Sequence, residues 1–230
     1  MIRILSWNIR QGGGTRVLQI VKTIERAQPS IVTLNEYRNN ASGIQLRTAL
    51  LKLNYRYQVV TAAATNDNSV FIASKFPLQS TLFPKADDDY PHNIVQAEFD
   101  AFYLIGVYLP HKKKHKLFDF LTDRVKEYNK PCVIAGDYNT GKNYIDQKGN
   151  SFWYTEELEQ LEQAGMIDAF RHINGDVSEY SWYSHQGNGF RYDHTYVEES
   201  LVPIVSNCYY NHEVREQNLS DHSAMLLDIG

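Results

Sequence analysis

The sequence predicts a layered α/β sandwich formed by a single domain, residues 1–230. Two observations predict this class: apolar and turn signals alternate in a β/α rhythm near the start, and strand-like segments then follow one another through the middle of the chain. Mixed strands with helices at intervals are typical of helices packed on sheets. No linker, low-complexity tract or short repeat divides the chain, so we expect one domain.

The first quarter of the chain predicts a strand, a helix, a strand and a helix, in that order. Thr15 is expected to cap the first helix, whose apolar side chains keep helical spacing until Pro29 ends it. The second helix is expected to begin at Ser42 and to end at Leu53. The two strands of this part are expected at residues 2–7 and 31–34.

The middle and the last third of the chain add most of the predicted strands. Five segments in the middle are expected to form strands in antiparallel succession: 55–60, 69–74, 78–82, 93–99 and 102–109. Helices are then expected at 117–128 and at 155–164, where Gly165 closes the second one, with a buried strand at 131–135 between them. The remaining strands are expected near Ser181 and at 191–197, 204–210 and 224–229.

The composition limits the class of protein. A net charge of −4 and a pI of about 6.1 argue against a protein that coats nucleic acid indiscriminately, but they suit an enzyme whose carboxylates hold a metal ion. Cys132 and Cys208 are too far apart to indicate a zinc cluster or a disulfide framework. We find no signal peptide and no apolar run that would span a membrane, so we expect a cytoplasmic protein, without membrane contact and monomeric.

Polar side chains that can do chemistry lie in, or directly beside, several predicted strands. Taken singly, each has an ordinary explanation as a turn or helix-entry residue. Together they offer the oxygen ligands that Mg²⁺ prefers and a histidine whose charge changes near neutral pH. Gly12-Gly13-Gly14 is either an anion cradle or, because no Lys-Ser/Thr follows it, a flexible loop. The set comprises Asn8, Glu36, Asp137, Asn139, Asp193, Asp221 and His222.

Five short motifs around these residues occur in an order that resembles one family. Together they are similar to the signature of the endonuclease/exonuclease/phosphatase superfamily, which includes DNase I and exonuclease III. The resemblance implies a four-layered α/β sandwich, DNase-I-like, in which two packed mixed β-sheets are flanked by helices and the site lies at one edge of both sheets. The motifs are Ser6-Trp7-Asn8, Leu34-Asn35-Glu36, Gly136-Asp137-Tyr138-Asn139, Arg191-Tyr192-Asp193-His194 and Ser220-Asp221-His222.

Further segments resemble the exonuclease-III-type abasic-site endonucleases within this superfamily. This similarity implies a phosphodiesterase that depends on Mg²⁺, with Mn²⁺ as an alternative ion, and whose partner is nucleic acid, most simply DNA. The segments are Val107-Tyr108-Leu109-Pro110, residues 168–172, Tyr180-Ser181-Trp182-Tyr183 and Gly189-Phe190-Arg191.

The resemblance also implies a role for each matching residue. Glu36 and Asp221 would bind the metal ion, and Asn8 would position it and ligate it through its amide oxygen. Asp137 would orient or deprotonate the attacking water, and Asn139 would donate to a phosphoryl oxygen. The remaining three catalytic residues would act at the phosphate: His222, Asp193 as its partner, and the hydroxyl of Tyr108.

The predicted substrate contacts lie in two places. His111, Lys112 and Lys113 begin a basic run that ends at Lys116, and this run is either a solvated loop or a contact to the phosphate backbone. Trp182 and Phe190 either pack in the core or stack on a nucleotide. Arg191, at the entry of its motif, completes the predicted substrate-binding set.

Two other functions stay open at this point. A phosphatase or phospholipid phosphodiesterase would share the fold, but the phosphatase branch typically carries a W-C-D-R-like segment where this chain has Phe190-Arg191-Tyr192-Asp193. Sphingomyelinase-like members usually have His at the position of Tyr108. A binding module that has lost activity would lack one or more metal or histidine positions, and this chain retains them all.

Overall fold

Two six-stranded β-sheets form the centre of the protein in the computed structural model, which describes all residues from 1 to 230. The strands of the first sheet are, in spatial order, β13 (Val205–Asn211), β14 (Ala224–Ile229), β1 (Ile2–Asn8), β2 (Ile31–Tyr37), β4 (Ser69–Ser74) and β3 (Tyr57–Val59). Those of the second are β5 (Gln79–Leu82), β6 (Ile94–Glu98), β7 (Tyr103–Tyr108), β8 (Cys132–Asp137), β12 (Asp193–Glu198) and β9 (Met166–Asp168). Both sheets are mixed, because β1 pairs with β2 in parallel and β7 pairs with β8 in parallel.

Six helices and one short hairpin surround the sheets. The helices are α1 (Val17–Ala27), α2 (Ala41–Lys52), α3 (His115–Glu127), α4 (Thr155–Gln163), α5 (Ala169–Asn174) and α6 (Glu213–Glu216). The hairpin joins β10 (Trp182–Tyr183) to β11 (Gly189–Phe190). None of these helices has both the length and the apolar character that crossing a membrane would require.

Three apolar clusters hold the layers together. The largest lies between the two sheets, where the inward-facing residues of β4, such as Val70 and Ile72, meet those of β6 and β7. The second packs α1 and α2 on the outer face of the first sheet, and the third packs α3 and α4 on the outer face of the second sheet. The predicted four-layered α/β sandwich is therefore confirmed.

The two sheets approach each other closely at Gly106 on β7. A Cβ atom at this position would lie 2.6 Å from Oγ1 of Thr33 and 2.8 Å from Cγ1 of Val70, both in the facing sheet. Any side chain here would push the sheets apart, because core atoms are already in close contact. Glycine therefore sets the spacing of the sheets two residues before Tyr108, at the edge where β1, β2, β7 and β8 end.

Several local predictions were wrong for identifiable reasons. Thr15 does not cap α1; it lies in a 3-10 turn, Gly14–Arg16, that precedes the helix. The second helix is capped by Asn40, whose Oδ1 accepts from the backbone N–H of Gly43 at 3.1 Å, and not by Ser42. The middle strands also do not form one antiparallel series, because the chain passes from the first sheet to the second between β4 and β5.

Candidate active site

Asn8 connects the two sheets at the edge where their parallel strands end. It is the last residue of β1 and is fully buried. Its Nδ2 donates to Oδ2 of Asp137 at 2.9 Å and to Oε1 of Glu36 at 3.3 Å. Since Asp137 ends β8 of the second sheet and Glu36 lies near the end of β2, one amide group links the three strand ends. The structure thus brings together side chains separated by more than 100 residues.

Glu36 reaches this edge because the backbone of β2 is irregular there. Its φ of 54° lies in the left-handed region, and the pairing of β2 with β4 shifts register between Leu34 and Tyr37. A bulge of this kind redirects a side chain at the rim of a sheet. The carboxylate is then held from two further sides: Oε2 accepts from the backbone N–H of Gln11 at 2.7 Å, and Oε1 accepts from the hydroxyl of Tyr108 at 3.3 Å.

A tight turn after β8 places Asn139 beside Asp137. Asn139 has a φ of 47°, and its backbone N–H donates to Oδ1 of Asp137 at 2.9 Å. Its Nδ2 donates to the carbonyl of Leu109 at 3.0 Å and to Oδ2 of Asp137 at 3.2 Å. The buried ammonium of Lys114 donates to the carbonyls of Tyr138 at 2.7 Å and Asn139 at 2.9 Å, which stabilises the turn.

His222 faces the same edge and is paired with a carboxylate. Its Nδ1 lies 2.8 Å from Oδ2 of Asp193, and its Nε2 lies 3.9 Å from Oδ2 of Asp137. The backbone around it is fixed, because its carbonyl accepts from Nε1 of Trp7 at 3.2 Å and its N–H donates to Oγ of Ser220 at 3.2 Å. The bond to Asp193 orients the ring so that Nε2 points towards Asp137.

The charges of this group are strongly shifted. Burial raises the pKa of Asp137, and the neighbouring Asp193 raises it further. Burial alone would lower the pKa of His222, but the carboxylates of Asp193 and Asp137 outweigh it, so that this pKa is raised above its ordinary value. The proton of the group therefore stays on His222 near neutral pH. Asp137, when ionised, is a stronger base than an exposed carboxylate.

The side chains at this edge fit a hard divalent cation. Glu36 and Asp221 are the carboxylates predicted to hold it. The charges of both act to raise the pKa of Arg16, although burial and Arg10 lower this pKa overall. Close by, Oδ1 of Asp193 is buried without a hydrogen-bond partner, and a cation or a donor would satisfy it. A separate cluster is formed by Asp137, Asp193 and His222, whose ligand atoms lie within 4.8 Å of one another. Because His222 holds a proton and is bonded to Asp193, this cluster suits the catalytic roles and not metal ligation.

The amide group of Asn8 is already hydrogen-bonded to neighbouring groups of the protein. Oδ1 of Asn8 accepts from the backbone N–H of Arg10 at 2.9 Å, and its nitrogen holds Glu36 and Asp137. Asn8 therefore has the contacts of the predicted positioning role, and its role as a ligand through the second lone pair of Oδ1 stays a prediction. Asp221 is exposed, and its Oδ2 accepts from Nε1 of Trp182 at 3.4 Å.

The basic run borders an open groove beside Tyr108. His111, Lys112 and Lys113 are exposed, and His111 lines a groove of about 440 Å³ together with Arg38, Asn68 and His92. Burial and the charges of Lys114 and Lys112 lower the pKa of His111, so its ring is neutral near pH 7. Lys114, in contrast, is fully buried and does not contribute to this surface, although the sequence places it in the same run.

Half-buried aromatic rings form another wall of the site. The ring centroid of Tyr192 lies 5.4 Å from that of Trp182 and 5.5 Å from that of Phe190, and 6.4 Å from that of His222. Trp182 and Phe190 are thus neither fully buried in the core nor remote from the site. Tyr192 was missed by the sequence analysis, although it lies inside the Arg191–His194 motif.

The prediction that Arg191 contacts the substrate was wrong. Its side chain is completely buried, and its guanidinium bonds to Oδ1 of Asp146 at 2.6 Å and to Oδ2 of Asp168 at 2.5 Å. Because the carboxylates occupy both ends of the guanidinium, a substrate would have to break buried ion pairs to reach it. Nearby, Nε2 of the buried His194 lies 2.8 Å from the carbonyl of Thr140. Arg191 and His194 therefore support the loop that follows β8.

Comparisons with known proteins point to one family. The profile of the Endonuclease/Exonuclease/phosphatase family matches residues 5–222. A DNA-(apurinic or apyrimidinic site) endonuclease of Dictyostelium discoideum is 23% identical over 235 residues, covering 89% of this chain, which spans 64% of that relative's length. An exodeoxyribonuclease of Bacillus subtilis is 22% identical over 258 residues, covering 99% of both chains.

A solved structure shows the same fold. The 3′ phosphatase NExo from Neisseria, bound to a product DNA hairpin, superimposes with a TM-score of 0.86 at 20% sequence identity, and the match covers 100% of each chain. At this level of identity the likeness establishes the fold.

Proposed function

Since the chain belongs to the Endonuclease/Exonuclease/phosphatase family and is a hydrolase of phosphoric ester bonds, we propose that it is a Mg²⁺-dependent nuclease. Its substrate on this proposal is the DNA backbone, cleaved in the manner of the exonuclease-III-type enzymes. The observation that carries the proposal is the single amide of Asn8 that holds Glu36 and Asp137 together across two sheets. On this proposal the contact joins the metal ligand Glu36 to the general base Asp137, the two groups that metal-assisted phosphodiester hydrolysis uses.

The metal ion is proposed to bind at Glu36 and Asp221, with Mg²⁺ as the resident ion and Mn²⁺ as a substitute. When bound there, it supplies polarisation of the phosphoryl oxygens and stabilises charge on the leaving oxygen. Asn8 and the backbone N–H of Gln11 hold Glu36 in the orientation this needs. Tyr108 donates to the same carboxylate, and its hydroxyl would contact a phosphate held there.

Asp137 is proposed to accept the proton of the attacking water. Its raised pKa makes it a better base than an ordinary carboxylate. It still ionises near neutral pH because the charge of His222, and then the bonds donated by Asn8 and Asn139, act to lower this pKa. These two donors also fix the direction of its free lone pairs. Asn139 can turn its amide towards a phosphoryl oxygen once a substrate is bound.

His222 is proposed to stabilise the negative charge that develops on the phosphate. Asp193 keeps the ring protonated and directs Nε2 towards the space beside Asp137. A fixed cation in a buried position stabilises a phosphorane-like transition state more effectively than a solvated one. In this arrangement Asp137 is the base and His222 is the cation. His222 can therefore stay protonated while Asp137 accepts a proton.

DNA is supported as the substrate by the relatives and by the surface. The Dictyostelium relative is described as an endonuclease for apurinic or apyrimidinic sites, and the Bacillus relative as an exodeoxyribonuclease. The Neisseria structure contains a product DNA hairpin. The exposed lysines beside Tyr108 supply positive charge for a phosphate backbone, in spite of the negative net charge of the chain.

A cleavage panel tests the proposed function. Abasic duplex, intact duplex, duplex with a 3′-phosphate, RNA and a phosphoinositide are incubated with the protein, with Mg²⁺ and with EDTA. We expect Mg²⁺-dependent cleavage of at least one of the two modified DNA duplexes and none of the phosphoinositide. Cleavage of the phosphoinositide alone would overturn the choice of substrate.

The salt dependence of DNA binding tests the basic run. Replacing Lys112 and Lys113 together with Gln should reduce the magnitude of the log–log slope of KM against NaCl concentration by about 2, because each phosphate contact contributes about 0.9. Lys114 is left unchanged because it is buried. Lys52→Gln, an exposed lysine at the end of α2, serves as the control. An unchanged slope in the double variant would show that the run is a solvated loop.

A further inference from the structure

Trp153 is exposed to an extent unusual for tryptophan. Its side chain is 67% exposed, whereas its neighbours Phe152 and Tyr154 are only 9% and 6% exposed. An indole in water gains nothing from the apolar burial that stabilises a fold, and large exposed apolar groups often mark binding surfaces. The alternation of buried, exposed and buried aromatics shows that the segment presents this one ring outwards.

The segment that carries Trp153 is held by specific hydrogen bonds. Nδ2 of Asn143 donates to the carbonyl of Phe152 at 3.1 Å, and the N–H of Phe152 donates back to Oδ1 of Asn143 at 3.0 Å. On the other side, the hydroxyl of Tyr154 accepts from the backbone N–H of Lys113 at 2.9 Å. With both neighbours fixed, the indole loses little conformational freedom when it stacks on a ligand.

Trp153 is connected to the candidate active site through the basic run. The ammonium of Lys112 is 5.2 Å from the centre of the Trp153 ring. The residue before Lys112 is His111, and its ring centroid lies 6.5 Å from that of Tyr192. The ring centroid of Tyr192 lies in turn 6.4 Å from that of His222. A line of neighbouring side chains therefore leads from the proposed phosphate-binding histidine to the exposed indole.

We propose that Trp153 and Lys112 form a subsite for an unpaired base and its phosphate in the nucleic acid strand that enters the active site. This inference rests on the proposed function. A flat aromatic ring stacks on any base, and a lysine beside it contacts the phosphate of the same nucleotide. The base has to be unpaired, because in the interior of a duplex both faces of each base are covered by its neighbours. The substrate that fits best is thus duplex DNA with a single-stranded tail.

Binding of a tailed and a blunt hairpin of the same duplex sequence tests the subsite, with the full chain in EDTA so that no cleavage occurs. Trp153→Ala is expected to weaken binding of the tailed hairpin about tenfold, equivalent to about 1.4 kcal/mol, and to leave the blunt hairpin unchanged. Trp153→Phe should restore most of the lost affinity, since it keeps a ring. The tailed hairpin should also quench tryptophan fluorescence more in the wild type than in Trp153→Phe, in which Trp7 and Trp182 remain.

Phe76→Ala provides the matched control. Phe76 is an aromatic residue that is 43% exposed, and it follows the end of β4 that lies away from the candidate site. Equal affinity of wild type and Trp153→Ala for the tailed hairpin, or an equal loss on both hairpins, would overturn the subsite. A different result would overturn the proposed function alone. In that case the protein would show no Mg²⁺-dependent cleavage, but Trp153→Ala would still lose affinity only for the tailed hairpin.

Discussion

Asp137→Asn is expected to lower kcat for DNA cleavage by about 10²–10⁴, the range that a positioned general base contributes. The variant keeps the shape of the side chain but cannot accept a proton from water. His222→Ala is expected to fall in a similar range, because it removes the cation, held by Asp193, that we propose to stabilise the phosphate. KM for DNA should change much less than kcat in both variants, since the affected interactions act mainly on the transition state.

Asp123→Asn is the matched control for these variants. Asp123 lies on α3 with its side chain 76% exposed, and its nearest partner, Lys126, is 3.9 Å away. Its kcat should equal that of the wild type. Steady-state rates are measured with Mg²⁺ in excess, and unfolding midpoints show that each variant is folded. Near-full hydrolysis of every tested phosphodiester by Asp137→Asn or His222→Ala would show that the catalytic roles are wrongly assigned.

Arg191→Met is expected to lower the free energy of unfolding by about 3–5 kcal/mol, although Arg191 belongs to a motif that includes catalytic candidates. The substitution leaves Asp168 buried without its main partner, while Asp146 retains Arg171 at 2.5 Å. Denaturant unfolding monitored by fluorescence measures the effect. An exposed pair offers the comparison: Arg26→Met, which removes a 3.7 Å contact to Glu213, should cost no more than about 1 kcal/mol.

The pH dependence of this effect has a definite sign. Burial would raise the pKa of Asp168, but Arg191 and His194 outweigh it and hold this pKa below its usual value. A depressed carboxyl pKa stabilises the fold above the unfolded-state pKa of about 3.9 and loses that contribution as the pH falls. The difference in the free energy of unfolding between wild type and Arg191→Met should therefore become smaller below about pH 4. A variant of wild-type stability with impaired DNA binding would return Arg191 to the substrate contacts.

The sequence was sufficient to locate the strand ends that carry the site. Asn8, Glu36 and Asp137 each follow or end a short apolar run, and such runs depend mainly on local pattern. The order of the motifs then indicated the family, and with it the four layers. Periodicity alone could not predict that the side chains of Asn8, Glu36 and Asp137 meet at one place, because the bond from Asn8 to Asp137 joins two different sheets.

What the sequence did not predict depends on contacts between distant segments. Arg191 and Lys114 are charged, which normally indicates exposure, yet partners that lie far from them in sequence allow both to be buried. Asp146 lies in a segment without helical or strand periodicity, so nothing local marks it as the partner of Arg191. The exposure of Trp153 could not be predicted either, since an aromatic residue between two other aromatic residues is typical of a buried core segment.

Binding of Mn²⁺, followed by electron paramagnetic resonance in wild type and in Glu36→Gln, tests most directly that these strand ends form one metal site. We expect the affinity of the wild type for Mn²⁺ to fall by about 100-fold or more in Glu36→Gln, since even residues that only support a ligand account for about 10- to 100-fold. Asp123→Asn should bind like the wild type. Equal affinity of Glu36→Gln and wild type would contradict a metal ion held where the two sheets meet.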